Sequence, residues 1–242
     1  MILRHLLVDL GNSRAKLARV SSPLSIDFLP AEESLPDVLA RVNETPNRIW
    51  LSSVGEHART DELCELLQAR WDSPIERVDV PRFQHHLATR YDPGQLGVDR
   101  WLALLACVDL SPGPALVVDA GTAITLDLLD TSGEHVGGYI LPGLRMAESA
   151  LLEGTAIRLP DGNREDFSDM GATNTASAIH QGTTLSVVAL IERLSDRLGE
   201  HARLYVGGGD AHRLSELLTI PHDKVENLVL RGLARLALLE EE

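Results

Sequence analysis

The chain has 242 residues, 44% of them hydrophobic but only 4% aromatic, and carries a formal net charge of −14 at pH 7. A chain this long buries a sizeable core, here built mainly from Leu, Val, Ala and Ile. The acidic balance argues against nucleic acid as a partner, because that needs a basic face, and the longest apolar stretches fall short of the ~20 residues of a membrane span.

In chain order, residues 3–9 and 15–20 read as a hairpin around Gly11, with a third strand at 25–29. The strand-like opening "ILRHLLVDLG" lacks the basic-then-apolar pattern of a secretory leader. A short helix with Pro in its first turn is expected at 36–43 and a buried strand, "RIWLSS", at 48–53. Leu63, Leu66 and Leu67 stand at helical spacing within 60–71, and a strand follows at 75–80. The loop "YDPGQLGVDR" leads into a helix at 100–109, and "SPGP" at 111–114 divides an N-terminal domain, 1–112, from a C-terminal domain, 113–242.

The pattern then repeats. Strands are expected at 115–119, 123–129 and 135–141, and a helix at 145–153. Residues 160–171 read as a mobile polar loop and 173–198 as a long helix, with Gly182 the point where it would break. A strand at 203–206 enters "GGGD", helices follow at 212–218 and 225–239, and the acidic tail reads as solvated. The order is that of an α/β duplication. Cys64 and Cys107 fall in apolar helical patterns, which suits buried free thiols in a reducing, cytoplasmic compartment.

The repeat is sharpest in "LLVDLGNSRAKLARV" and "LVVDAGTAITLDLLD", each an apolar run reaching an Asp, then a Gly turn, then another strand. A glycine turn leaves backbone N–H groups open to phosphate oxygens. Asp9 and Asp119 can hold Mg²⁺ directly or through water, and Asn12, Ser13, Thr122 and Thr125 add small donors. Lys16, which shares the chain's lysine count with Lys224 alone, stands inside the first motif. One such turn is common; two of them read as the jaws of a nucleotide clamp. G-x-x-x-x-G-K-[ST] is absent, and no G-x-G-x-x-G follows the first strand.

Within "LGVDRW", Asp99 stands where a helix begins, as an N-cap or as a general base, with Arg100 as an anion contact. "VGGG" suits either an approach to a flat ligand such as adenine or an ordinary strand–helix turn. His85 and His86 read as a surface pair, since no second Cys/His group stands at ligand spacing, and His180 reads as structural. In 173–198, Ala176, Ile179, Leu185, Val187, Val188, Leu190, Ile191 and Leu194 cover more of the helix than a narrow core stripe. That suits a helix buried in its own domain or one packed partly on a second subunit.

The combination "DLGNSRAK", "SSV", "YDPGQLGVDRW", "DAGTAITLD", "GGYILPG", "NTASAIHQG" and "GGG" resembles the type III pantothenate kinases, within the acetate/sugar kinase, heat-shock ATPase and actin superfamily. Ser13 stands where Thr is usual, and 161–173 has no counterpart. The resemblance implies an α/β protein of two duplicated actin-like (ribonuclease H-like) domains with a nucleotide cleft between them. It implies ATP-dependent phosphorylation of pantothenate to 4'-phosphopantothenate, the first step of coenzyme A biosynthesis. By motif, Asp9, Leu10, Gly11, Asn12, Ser13, Arg14, Ala15 and Lys16 form the first ATP-binding loop, and Gly121 and Thr122 belong to the second. Tyr91, Gly97, Val98, Asp99, Arg100 and Thr175 would contact pantothenate, with Asp99 the proton acceptor. Asp9 would serve Mg²⁺ via phosphate or water, Asp119 a monovalent cation (K⁺ or NH₄⁺), and the enzyme would be a homodimer.

Rival readings are a non-catalytic dimerisation partner in a tRNA-modifying complex, an accessory regulator, and a kinase of another small hydroxy acid. The first class loses acids of the clamp, whereas Asp9, Asp99 and Asp119 are all present here.

Overall fold

Every residue of the first strand, β1 (His5–Leu10), is buried. It pairs antiparallel with β2 (Ala15–Ser22) and parallel with β4 (Arg48–Ser53), so it is an interior strand covered on both faces. The computed structural model describes residues 4–11, 14–22, 25–30, 35–55, 57–108, 110, 113–159, 167–168 and 170–241. With β3 (Ser25–Phe28) and β5 (Ile75–Arg77) these strands form a five-stranded sheet in the order β3-β2-β1-β4-β5.

The second sheet joins β6 (Ala115–Ala120), β7 (Ala123–Leu129), β8 (His135–Pro142), β9 (Arg203–Gly207) and β10 (Asp223–Lys224) in the order β10-β9-β6-β7-β8. Read from its other end, this is the first order again: β6 pairs antiparallel with β7 and parallel with β9, as β1 does with β2 and β4. The expected α/β duplication is therefore present down to the sense of each central pairing.

Between the strands run α1 (Leu35–Ala40), α2 (His57–Arg70), α3 (Val80–Phe83), α4 (Val98–Cys107), α5 (Leu144–Glu153), α6 (Thr175–Leu198), α7 (Ala211–Ser215) and α8 (Leu228–Leu239). No helix among the described residues is long and apolar enough to cross a membrane.

Contacts divide the chain into two compact units, Met1–Pro112 with Gly133–Gly137 and Asn227–Glu242, and Gly113–Ser132 with Gly138–Glu226. The expected domains, 1–112 and 113–242, follow chain order; the compact units return the last helix to the first. In that unit, Leu6, Val8, Leu10, Ile49 and Leu51 pack with Val38, Leu63 and Leu67 of α1 and α2. Their strand neighbours Leu7, Trp50 and Ala18, at most marginally exposed, point to the opposite face. That face is covered by α4 and α8, which pack on each other, on β4 and, for α8, on β1 and β2. The helices cross at Gly232, where a Cβ would lie 2.1 Å from the carbonyl oxygen of Leu102, so only glycine permits this approach.

Several boundaries differ from expectation. The strand expected at 75–80 ends at Arg77, because Asp79 caps α3 by accepting from the Arg82 amide at 3.0 Å. The long helix α6 is unbroken at Gly182. β10 was not expected, and its pairing with β9 delays the last helix from 225 to Leu228. The tail is not merely solvated: Glu240 meets His86 at 2.7 Å and Glu241 lies 3.9 Å from buried His5. Cys64 and Cys107 are buried free thiols, and burial pushes the Cys107 thiol up to about 12. Residues 111 and 112 of the boundary motif and most of the loop at 160–171 lie outside the described residues.

Candidate active site

The two acid-tipped turns occupy equivalent places. Asp9 is the penultimate residue of β1 and Asp119 that of β6, each followed by one apolar residue and a glycine. The first turn closes with the Gly11 amide donating to the Arg14 carbonyl at 3.2 Å, the second with the Gly121 amide donating to the Ala123 carbonyl at 3.0 Å. Asn12 and Ser13 lie outside the described residues. Leu10 is core, Arg14 is exposed, and Ala15 is half-buried.

Strand register builds a polar row beside the first turn. Asp9 stands opposite Lys16 on β2 and opposite Ser52 on β4, so the three side chains share one face of the sheet. It is the face covered by α4 and α8. Asp9 is 9% exposed, Ser52 is fully buried, and the Ser52 hydroxyl has no hydrogen-bond partner among the described residues. Arg59 of α2 donates to the Gly11 carbonyl at 3.0 Å and so fixes the turn from outside. No sequence signal distinguished Arg59 from other helix-face arginines.

The second turn is braced by backbone. The Gly143 amide donates to the Thr122 carbonyl at 3.0 Å, and a Cβ on Gly143 would lie 2.4 Å from that oxygen and 2.5 Å from the Gly121 carbonyl oxygen. Gly208, at φ +91°, sits against Ala120, where a Cβ would come within 2.4 Å of the carbonyl oxygen. The "GGG" segment thus admits the protein's own strand end at Gly208, while Gly209 faces open space. In register, Asp119 pairs with Thr125 and with Gly207.

Asp99 is not an N-cap. The helix begins two residues earlier than expected, with Gly97 as its N-cap, which puts Asp99 in the first turn, where a carboxylate complements the helix dipole. Its Oδ1 accepts from the Arg100 amide at 2.8 Å. A Cβ on Gly97 would lie 2.6 Å from the same oxygen, so a larger residue there would displace the carboxylate. Val98 is buried, and Arg100 is 5% exposed with its guanidinium 5.2 Å over the Tyr91 ring. Tyr91 stacks on His135 at 6.0 Å, its amide donates to Thr89 Oγ1 at 3.0 Å, and Thr89 Oγ1 is 2.9 Å from His135 Nδ1. The fold therefore brings Tyr91, Gly97, Val98, Asp99 and Arg100 to one end of α4.

Thr175 is the first residue of α6, after Asn174, whose side chain accepts from the Ser177 amide. It lines an open groove of about 680 Å³ with Leu151, Ile157, Ile179 and Thr183. Val187, Val188, Ile191 and Leu194 are core, whereas Leu185 is 42% exposed. Along the same helix, His180 lies 2.9 Å from Glu148 and 2.8 Å from Arg213.

Comparison with known proteins fits this arrangement. The family model for type III pantothenate kinase matches residues 5–197. The chain belongs to the type III pantothenate kinase family. It is 34% identical to the type III pantothenate kinase of Nitrosococcus oceani over 96% of this chain and 93% of the relative. It is also 34% identical to that of Laribacter hongkongensis, over 96% and 98%. Among solved structures, a conserved candidate Baf-family transcriptional activator from Campylobacter jejuni superposes with a TM-score of 0.63 at 23% identity, covering 98% of each chain. The activator of 2-hydroxyisocaproyl-CoA dehydratase from Clostridium difficile, with bound ADPNP, gives 0.55 at 11% identity over 98% and 94%. At these identities the structures speak for the fold, that of actin-like ATPases and sugar kinases. Members of a kinase family transfer phosphoryl groups from ATP, in general with a divalent metal.

Proposed function

We propose that this enzyme phosphorylates pantothenate at its primary hydroxyl with ATP, giving 4'-phosphopantothenate for coenzyme A synthesis. The observation that carries the reading is the repeated acid-tipped glycine turn, placed identically in two sheets of identical order, with the Asp99–Arg100 pair at the start of α4. Phosphoryl transfer needs positioning and charge neutralisation more than covalent help. The amides of the two turns and the Lys16 ammonium supply the neutralisation.

Asp9 offers a nearly buried carboxylate with the Ser52 hydroxyl, unpartnered among the described residues, beside it in register. These hard oxygen donors suit Mg²⁺, which favours oxygen ligands and keeps several waters. When bound, Mg²⁺ neutralises charge on the transferring phosphate. Asp119 serves a monovalent cation, K⁺ or NH₄⁺. Asp99 accepts the proton of the attacking hydroxyl. Arg100, its guanidinium over the Tyr91 ring, pairs with the substrate carboxylate in the bidentate manner guanidinium permits. Gly97 and Val98 contribute backbone beside Arg100, and Thr175 is a further pantothenate contact. The protein works as a cytoplasmic homodimer, a second copy covering the groove and exposed Leu185.

The test is a coupled ADP-release assay across a panel of small hydroxylated acids. Turnover with pantothenate well above every other acid supports the reading. A preference for another acid, or ADP release independent of any acceptor, overturns it.

A further inference from the structure

The turn after α3 and the end of the chain meet at a constellation outside the set assigned above. His85 and His86 lie in a one-turn 3-10 helix, Gln84–His86, with ring centroids 4.0 Å apart. Glu240, at the C-cap of α8, brings Oε1 to 2.7 Å from His86 Nε2 and 3.9 Å from His85 Nε2. One ligand atom from each residue lies within 4.8 Å of the other two. All three residues belong to the same compact unit.

We propose that His85, His86 and Glu240 bind a divalent transition-metal ion of the zinc class, clipping the end of α8 to the turn after α3. Imidazole suits Zn²⁺, and two imidazoles with a carboxylate form a known three-ligand donor set that leaves a fourth position for water. Zn–N and Zn–O bonds of ~2.0–2.2 Å set tetrahedral ligand atoms about 3.4 Å apart. The His86–Glu240 and His85–Glu240 separations, 2.7 and 3.9 Å, bracket that distance. Reaching it asks the His86–Glu240 contact to open by about 0.7 Å and the His85–Glu240 contact to close by about 0.5 Å. The His85 side chain is 64% exposed and free to make that adjustment, while that of His86, at 14%, is held.

Without a metal, the carboxylate already faces both rings. A divalent cation needs both rings neutral and the carboxylate ionised, so zinc uptake should release protons and weaken in acid. Sequence spacing hid the site because its third ligand is a glutamate 154 positions from His86, not a second Cys/His group.

The test uses the untagged full chain, stripped with a chelator and titrated with Zn²⁺ against a chromophoric chelator. Excess Mg²⁺ keeps hard-oxygen sites occupied. The expected result is one Zn²⁺ per chain, bound in the micromolar range or tighter. His85→Ala and Glu240→Gln should each weaken binding at least ~10-fold, as much as loss of an outer-shell partner costs. His57→Ala and His201→Ala, on exposed histidines elsewhere, should leave it unchanged. Zn²⁺ should also raise the melting temperature of the wild type but not of Glu240→Gln, since only a ligand of the folded state does so. Absence of micromolar uptake by the wild type overturns the proposal. So does wild-type affinity in folded His85→Ala and Glu240→Gln proteins.

Discussion

Gly143→Ala tests whether the second glycine turn is held by backbone contact. At Gly143 φ is −59°, so alanine meets no backbone strain there and the effect is purely steric. The added methyl would start 2.4 Å from the Thr122 carbonyl oxygen and 2.5 Å from that of Gly121, where ordinary contact begins at 3.4 Å. The turn must retreat by about 1 Å, since both obstacles are backbone. Overpacking of this kind costs about 1–3 kcal/mol. At about 2–4 °C per kcal/mol for a chain of this size, the melting temperature should drop by about 2–12 °C. A misplacement of about 1 Å in a catalytic constellation costs ~10²-fold in rate, so kcat/KM for ATP should drop by that order while the protein stays folded. Steady-state ADP release with ATP varied, alongside a thermal melt, reads both. Gly55→Ala, which meets nothing within 4 Å, serves as control. A Gly143→Ala protein with wild-type kcat/KM and melting temperature would refute the bracing argument.

Asp99→Asn should lower turnover by ~10²–10⁴-fold, the usual contribution of a positioned base, with ATP binding measured by calorimetry little changed. Asp9→Asn and Asp119→Asn should each weaken use of Mg-ATP, and full activity in Na⁺ or a bulky organic cation would count against the monovalent-cation role of Asp119. If the enzyme is a dimer with a shared pocket, light scattering should give about twice the 26.4 kDa chain mass. In that case, mixing inactive Asp99→Asn with inactive Thr175→Arg should restore some activity; a fully active monomer removes the dimer requirement. Burial lowers the pKa of His5, so the fold keeps it neutral. That stabilisation is complete above the ordinary imidazole pKa and is lost as pH falls through the lowered value. His5→Leu should therefore flatten the acid limb of a stability–pH curve, and an unchanged limb would rule His5 out. For Cys107, raised to about 12, the contribution is intact below the ordinary thiol pKa and is lost as pH rises from about 9 toward 12. The folded protein should resist alkylation at this thiol in mildly alkaline buffer.

The two hairpins were legible because their information is local. An apolar run, an Asp, a glycine and a second apolar run dictate strand, turn and antiparallel return, so Asp9 and Asp119 fell in equivalent positions. The same holds for the "LGVDRW" segment, although its helix starts at Val98, because Gly97 takes the cap position that Asp99 was considered for. What escaped depends on contacts between distant segments. Ser52 joins the Asp9 row only through parallel pairing of β1 with β4. Arg59 is one arginine on a helix face until α2 packs over Gly11. Gly143 sits in a quoted motif, yet its reason for being glycine is the Gly121–Thr122 backbone. β10 has two residues, too few for any alternation to register. The return of α8 to the first unit leaves no trace in local pattern, because an apolar helix face does not name the sheet it covers.

That return has a consequence for synthesis. Leu7, Trp50 and Trp101 are fully buried in a unit that α8 helps to close, yet the ribosome makes α8 only after the whole of the second unit. At ~5–20 residues per second, the interval between residue 112 and α8 is on the order of 10 s. Through that interval the nascent first unit shows an uncovered apolar sheet face, while the intervening unit, contiguous in sequence apart from a short excursion, has all its strands to hand. The order of folding on the ribosome therefore runs against the order of the chain, and the first unit presents that face to chaperones until α8 emerges.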